Sequence, residues 1–523
     1  MDLDELIRTN LPPLAAQASE LRRILHAKIE DTARLEEEHT TAVAAVADLN
    51  ARLALAKRDI LALQGTLSPL RQLPTEVMAE IFTIFVRQEQ KISTWSTSSE
   101  PMILSRVCSR WRTIALSTPR LWTKLLFTLT PSNHWRRFVA MEELFQRSRS
   151  FQVDLVLTEN TPLHRAHLSV LSEILRSPHF VDRVHSLETR LDRAHFLQAA
   201  GVAQPGSVPL VLPTLNTLHI VASNEKFELH DCFPAFGELP GLRDLTISLP
   251  PLSPPPKHGF IGSFPDFPWS KMTSLRWELS LDARTIHWLL AQMSCVERVA
   301  FSFIRVYNPS PAQGPQPLPA QVIVPNLTDL TIHAASSIRY PLLQALVLPK
   351  LKVFSVRGIK SPSRQTPFDI LSDLQQRSGF SLTRLTLCGS LEMQFVPAFL
   401  ALLPALTELH IKRQDSGVYA ALSQREALNP TSDTPLLVPN LKNLRVSMRN
   451  DGGRRAEAFE NQGRDLVEML AWRCRSAPVE NRLQKVTVRI PGDRSALLGE
   501  WAQALLEELT AEAYIKDPLK SEA

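Results

Sequence analysis

The chain has 523 residues, 44% hydrophobic and 21% charged, a mix that supports folded domains and excludes wholesale disorder. Its 58 Lys and Arg against 53 Asp and Glu leave a net charge of +5, too faint over this length to demand a nucleic-acid partner. The 39 prolines outnumber the 17 glycines, so turns punctuate the chain often.

Five scattered cysteines lack the close pairs of a zinc site and are expected as buried, reduced thiols. The acidic start, Met1 to Glu5, has neither the basic nor the apolar part of a signal peptide, and no apolar run reaches the roughly 18 residues of a membrane span. These features point to the cytoplasm and/or nucleus, with no membrane and no nucleic acid as partner.

From Glu20 to Leu67 there is no proline, and the composition is Ala, Leu, Glu, Arg and Lys, all strong helix formers. Val46, Leu49, Leu53, Ala56, Ile60, Leu63 and Leu67 alternate three- and four-residue steps, the seam of a coiled coil. Upstream the same frame meets Ala42 and Leu35 but also His39, Thr32 and Lys28. The stripe needs an apolar partner: a second copy, as a parallel dimer self-associating through residues 35–67, or the body of the protein. Residues 1–67 are assigned to this helical region.

Residues 68–125 hold three separated apolar phrases. The first is Pro69-Leu-Arg-Gln-Leu-Pro-Thr-Glu-Val-Met-Ala-Glu-Ile-Phe82, where Pro74 opens a helix and Val77, Met78, Ile81, Phe82 and Phe85 line one face. A polar stretch from Gln88 to Glu100 reads as a loop. Beyond it Leu104, Val107, Cys108, Trp111 and Ile114 or Ala115 mark one helical stripe, and Thr118-Pro-Arg-Leu-Trp122 closes the unit.

In residue type, order and spacing these phrases resemble the F-box, with a longer loop at 88–100 and an upstream heptad helix that look like fungal members of that family. The resemblance implies an all-α F-box that docks a Skp-type adaptor and, through it, cullin and RING subunits. Leu73, Pro74, Ile81, Phe82, Val107, Cys108, Trp111, Leu121 and Trp122 are the adaptor-facing residues it implies. A unit of this size buries little surface alone, which is consistent with pairing to a partner.

From about residue 150 to 490 a short phrase recurs. Leu212-Pro-Thr-Leu-Asn-Thr-Leu-His-Ile220 returns as Leu239 to Ile247, Val324 to Ile332, Leu348 to Val356, Leu403 to Ile411 and Val438 to Val446. Weaker copies lie at Met272 to Ser280, Met293 to Phe301, Gly379 to Leu387 and Arg482 to Val488. Aligned on the first leucine-like position they start at 215, 242, 275, 296, 327, 351, 382, 406, 441 and 483. The final two apolar residues alternate as in a strand, and apolar helical stretches such as Arg284 to Met293 lie between copies.

The phrase resembles a leucine-rich repeat, which implies an irregular α/β solenoid over 126–495 with a parallel sheet on its concave side. A non-repetitive α/β domain of recurrent βα units would also alternate strand and helix. Residues 496–523 read as a capping helix (Leu498, Trp501, Leu505, Leu509) and a frayed tail. The proline-dense segments Pro250 to Pro268 and Asn308 to Pro319 read as loops.

No phosphate loop, nucleophile elbow, zinc-protease or kinase signature occurs, and His164 with His167 is a poor metal site. The resemblance to the F-box family implies a non-enzymatic, cofactor-free substrate-recognition subunit of an SCF-type cullin–RING ubiquitin ligase, its repeat region binding the target protein. A scaffold or oligomeric interaction protein outside any ligase is the alternative.

Overall fold

The proline-free N-terminal segment forms a single helix, α1 (Ala15–Thr66), of 52 residues and therefore about 78 Å. The computed structural model describes residues 14–88, 100–129, 134–159, 172, 175–191, 210–221, 236, 238–248, 267–278, 281, 283–304, 321–334, 341–357, 367–388, 396–412, 417–423, 437–447, 456–489, 504–509 and 515–516. The sequence readings at 89–99, at His164 and His167, and across most of the two proline-dense segments lie outside these residues.

The chain divides into two compact units, Met1–Ile81 and Phe82–Ala523, with the division inside helix α2 (Thr75–Gln88). The first unit holds α1 and a 3-10 turn, Pro69–Arg71. Along α1 the heptad seam is open to solvent: its Val, Leu and Ile side chains keep 51–79% of their surface. Charged pairs on the helix, such as Arg23–Glu20 (2.7 Å) and Arg52–Asp48 (4.0 Å), are exposed and contribute little stability.

The second unit continues from α2 into α3 (Glu100–Val107), α4 (Ser109–Ser117) and the 3-10 turn Pro119–Trp122. The single stripe expected from Leu104 to Ala115 is thus two helices. Cys108 adopts an extended backbone (φ −158°, ψ 172°) and its Sγ accepts from the Trp111 N–H at 3.4 Å, starting α4 afresh. The break turns Val107 and Cys108 outward while Leu104, Ile114 and Ala115 stay buried.

Next come β1 (Lys124–Leu129), α5 (His134–Arg147), β2 (Val153–Glu159), α6 (Pro178–Val181) and β3 (Val184–Arg190). β4 (Thr217–Val221), β5 (Asp244–Ser248), β6 (Ser274–Trp277), α7 (Ala283–Gln292) and β7 (Arg298–Ile304) follow. β8 (Val322–Ile323), β9 (Asp329–Ala334), α8 (Pro341–Gln344), β10 (Leu346–Val347), β11 (Val353–Arg357), α9 (Pro367–Ser378) and β12 (Arg384–Cys388) continue the alternation. α10 (Val396–Ala401), β13 (Glu408–Lys412), α11 (Gly417–Leu422), β14 (Asn443–Ser447), α12 (Ala456–Ala471), β15 (Lys485–Arg489) and β16 (Ile515–Lys516) complete it.

β8 and β10 form a small pair of their own, and the other strands make one 14-stranded sheet in strict chain order, every pairing parallel. Such an order results when each successive strand-and-connection unit lays its main strand beside that of the unit before it.

Register follows the phrase. Leu218 lies opposite Leu245, which lies opposite Leu275, and the same position continues through Leu330, Phe354, Leu385, Leu409, Leu444 and Val486, all buried. This register moves the start of the third copy from Leu275 to Met272, since Leu275 occupies the Leu218 position. The neighbouring steps then become 30 and 24 residues.

The phrase has a local logic. Its first leucine closes a tight turn, as Leu215 N–H donates to Leu212 C=O (3.2 Å) and Leu406 to Leu403 (3.1 Å). One carbonyl then accepts from two consecutive N–H groups of the next copy: Thr383 C=O takes Thr407 and Glu408, and Thr407 C=O takes Lys442 and Asn443, all at 2.9 Å. Threonine hydroxyls reinforce the same step, with Thr328 Oγ1 donating to Glu297 C=O (3.0 Å) and Thr407 Oγ1 to Thr383 C=O (3.0 Å). Leu218 and Ile220 point to the buried side, and Ile286, Leu289, Leu290 and Met293 of the α7 region are also buried.

Three features differ from the sequence reading. β1 to β3 extend the sheet ahead of the first phrase, because their apolar alternation carries no proline–leucine marker. The tail expected to fray contributes β16, paired with β15 through Val486–Ile515 and Thr487–Lys516. Of the four cysteines described, Cys388 and Cys474 are buried, but Cys108 and Cys295 are exposed, each lying in a turn between elements.

Candidate functional site

Helix α2 carries more apolar residues than one buried stripe can use. Met78 and Phe82 are buried, whereas Val77, Ile81, Ile84 and Phe85, on one side of the helix over little more than two turns, each keep 41–46% of their surface. In α3 and its end, Ile103 and Val107 stand one turn apart at 45% and 56% exposure, and Leu116 of α4 is exposed as well. The segment thus shows large apolar side chains to solvent at a density unusual for a free surface.

The interior beneath is built within the second unit. The Trp111 ring packs 4.9 Å from Phe82 at 56°, and Arg112 Nε donates to Ser105 C=O at 2.9 Å, tying α4 to α3. Trp122 is buried, its Nε1 donates to Ala115 C=O at 2.9 Å, and the Arg147 guanidinium sits 5.1 Å from its ring. Those contacts fasten the end of the helical segment to α5.

The nine residues implied as adaptor-facing therefore divide. Pro74, Ile81, Val107 and Cys108 are exposed, and Leu73 and Trp111 are half-buried. Phe82, Leu121 and Trp122 are interior residues of this chain, at 1–3% exposure, and hold the helices from behind. Ile84, Ile103 and Leu116 of the second unit are exposed as well, and the sequence reading did not single them out. Their signal was the excess of apolar positions around each short helix.

A second surface is the open face of the sheet, where residues alternate with the buried ones. At its β3–β5 end Glu188 faces His219 Nδ1 (3.3 Å) and Arg190 Nε (2.6 Å), and His219 Nε2 lies 2.7 Å from Ser248 Oγ. Burial pushes the Glu188 carboxyl up, but hydrogen bonds from His219 and Arg190 outweigh it and hold the group below its ordinary range.

Toward β11–β14 the face turns basic. The Arg384–Glu408 pair (2.5 Å) is self-contained, with Asn443 Nδ2 donating to the same carboxylate at 3.2 Å. Arg357, Lys412 and Arg445 are exposed nearby, and among the described residues no acidic side chain lies within ion-pair distance of them. The His333 imidazole is held below its ordinary pKa by burial first, then by Arg357, Lys412 and Arg276.

Among the described residues no group of three His, Cys, Asp or Glu side chains is placed to hold a metal ion. No helix among them is long and apolar enough to cross a membrane. Residues 70–128 match the family model described as F-box-like, so the chain carries an F-box-like domain spanning the helical segment and β1. No curated protein matches the chain.

Proposed function

We propose that the chain is the substrate-recognition subunit of an SCF-type cullin–RING ubiquitin ligase. The F-box-like domain docks a Skp-type adaptor, and the adaptor joins it to cullin and RING subunits. The observation that carries this reading is the set of apolar side chains in the second unit, Ile84, Phe85, Ile103 and Val107, left in solvent while Phe82, Leu104 and Ile114 are buried. A short helical unit with an apolar outer surface gains stability by covering it with a partner. Leu73, Pro74, Ile81, Val107, Cys108 and Trp111 make the contact; Phe82, Leu121 and Trp122 support it.

The sheet region acts as a leucine-rich-repeat-like solenoid that holds the target. Strict chain order, parallel pairing and the recurrent phrase support this reading. The target is engaged on the open face, where Arg357, Lys412 and Arg445 suit an acidic segment. The chain performs no chemistry itself: it raises the local concentration of a target lysine near a ubiquitin-charged enzyme held elsewhere in the assembly. It works in the cytoplasm or nucleus, and α1 supplies self-association.

The test is co-purification of the full chain with a purified Skp-type adaptor, beside Ile81→Asp and Val107→Asp. Both sites are exposed, so thermal melting should shift by no more than about 0.5 kcal/mol equivalent. A charge in a desolvated apolar contact should weaken adaptor binding at least about tenfold. Absence of any complex with the folded chain would sink the ligase reading in favour of a scaffold outside a ligase.

A further inference from the structure

The seam of α1 lies open to solvent along its length. We propose that residues 42–67 pair with the same segment of a second copy of this chain, antiparallel, about a two-fold axis between Leu53 and Ala56. The proposal deepens the self-association reading and stands apart from the ligase reading.

Three features of the sequence, placed on one continuous helix, select this arrangement. The first is charge. Positions flanking the seam are Arg52 and Asp59 on one side and Asn50 and Lys57 on the other. In a parallel pair Arg52 faces Lys57 of the other copy, twice, and the like charges repel. In the antiparallel pair Arg52 faces Asp59 of the other copy, twice, and Asn50 faces Lys57.

The second is volume. A parallel pair stacks Ala56 on Ala56 and leaves a gap between larger layers. The antiparallel pair sets Leu53 against Ala56, Leu49 against Ile60, Val46 against Leu63 and Ala42 against Leu67, so each alanine meets a leucine and no layer stacks alanine on alanine. All these apolar seam positions are exposed in the single chain.

The third is extent. A parallel pair continues upstream in register and brings Lys28 to Lys28 and His39 to His39 in its core. The antiparallel overlap ends at Ala42 and Leu67, about 39 Å of helix, and leaves those polar positions in water. The contact is isologous and closes on itself, giving a dimer and no chain of copies.

The experiment is sedimentation equilibrium of the full chain at low salt. The wild type should dimerise, and Leu53→Asp should make it monomeric. Arg52→Glu and Asp59→Arg should each weaken the dimer roughly tenfold by turning attraction into repulsion, and mixing the two variants should restore the pairing. The rescue separates this effect from the loss of the intrahelical approach of Arg52 to Asp48 at 4.0 Å. A parallel dimer predicts the opposite sign: Glu at 52 would face Lys57 and tighten the pair. Tightening by Arg52→Glu would overturn the antiparallel assignment while leaving self-association intact. A monomer at every concentration would overturn both, with the seam then covered by the chain itself.

Discussion

Arg473 is fully buried, a costly place for a cation, and its surroundings explain how it is kept there. Its Nε donates to Leu422 C=O at 3.0 Å and its Nη2 to Leu437 C=O at 2.6 Å. Burial draws its pKa down to about 10, still above neutrality, so the guanidinium remains charged and is held by carbonyl dipoles. Those carbonyls close α11 and precede the Val438 phrase, so a single side chain joins two connecting segments between β13 and β14 to the end of α12. Arg473→Met keeps much of the packing but orphans both carbonyls, and should cost about 2–4 kcal/mol. Arg473→Ala adds a cavity and should cost more. Thermal unfolding followed by circular dichroism reads both; two unchanged midpoints would show that the carbonyls find water instead.

At the scale of elements, Cys108 is where helix capping and the proposed docking surface meet. It caps α4 with a thiol, a weak acceptor at 3.4 Å from the Trp111 N–H, in a position that Asp, Asn or Ser fills better. Cys108→Asp should therefore raise stability by about 0.5–1 kcal/mol, helped by the helix dipole. The same change sets a charge beside exposed Val107 and should weaken adaptor binding several-fold. Cys108→Ser should give the stability without the full binding loss. Melting curves together with adaptor titrations would test the pair, and parallel gains in both quantities would remove Cys108 from the proposed docking surface.

Much of this element-level design was legible in the sequence, and the misses have physical causes. Periodicity marks α1 and α2, because a helix repeats its faces every few residues. It does not tell which of two apolar stripes is buried, so Phe82, Leu121 and Trp122 read the same as Ile81 and Val107. The α3–α4 break was hidden because Cys108 is neither Gly nor Pro, and its extended backbone leaves the apolar spacing almost unbroken. The phrase located ten strands because its leucine-like positions recur, with the proline and the tight turn recurring beside them in six copies. β1 to β3 lack that turn and look like any short apolar alternation. Leu275 misled because it resembles the first leucine of the phrase, and only pairing with Leu245 fixes its register.

At the scale of the molecule, the sheet does not close on itself among the described residues, so its last strands carry a liability and a prediction. Each strand of the sheet pairs only with its neighbours, and stability therefore passes along the array from copy to copy. At the far end β16 covers part of β15, while residues 504–509 are helical and bury Leu506 and Leu509. Deleting residues 497–523 uncovers the β15 edge and removes two buried leucines worth about 1.5–3 kcal/mol each. Local coupling confines the damage to the last copies. Denaturation should gain an early phase at low urea, light scattering should rise with concentration as bare edges meet, and adaptor binding at residues 70–128 should hold within about twofold. A single cooperative transition shifted as a whole would mean that the 14 strands unfold as one body, and adaptor binding would then be lost in the same step.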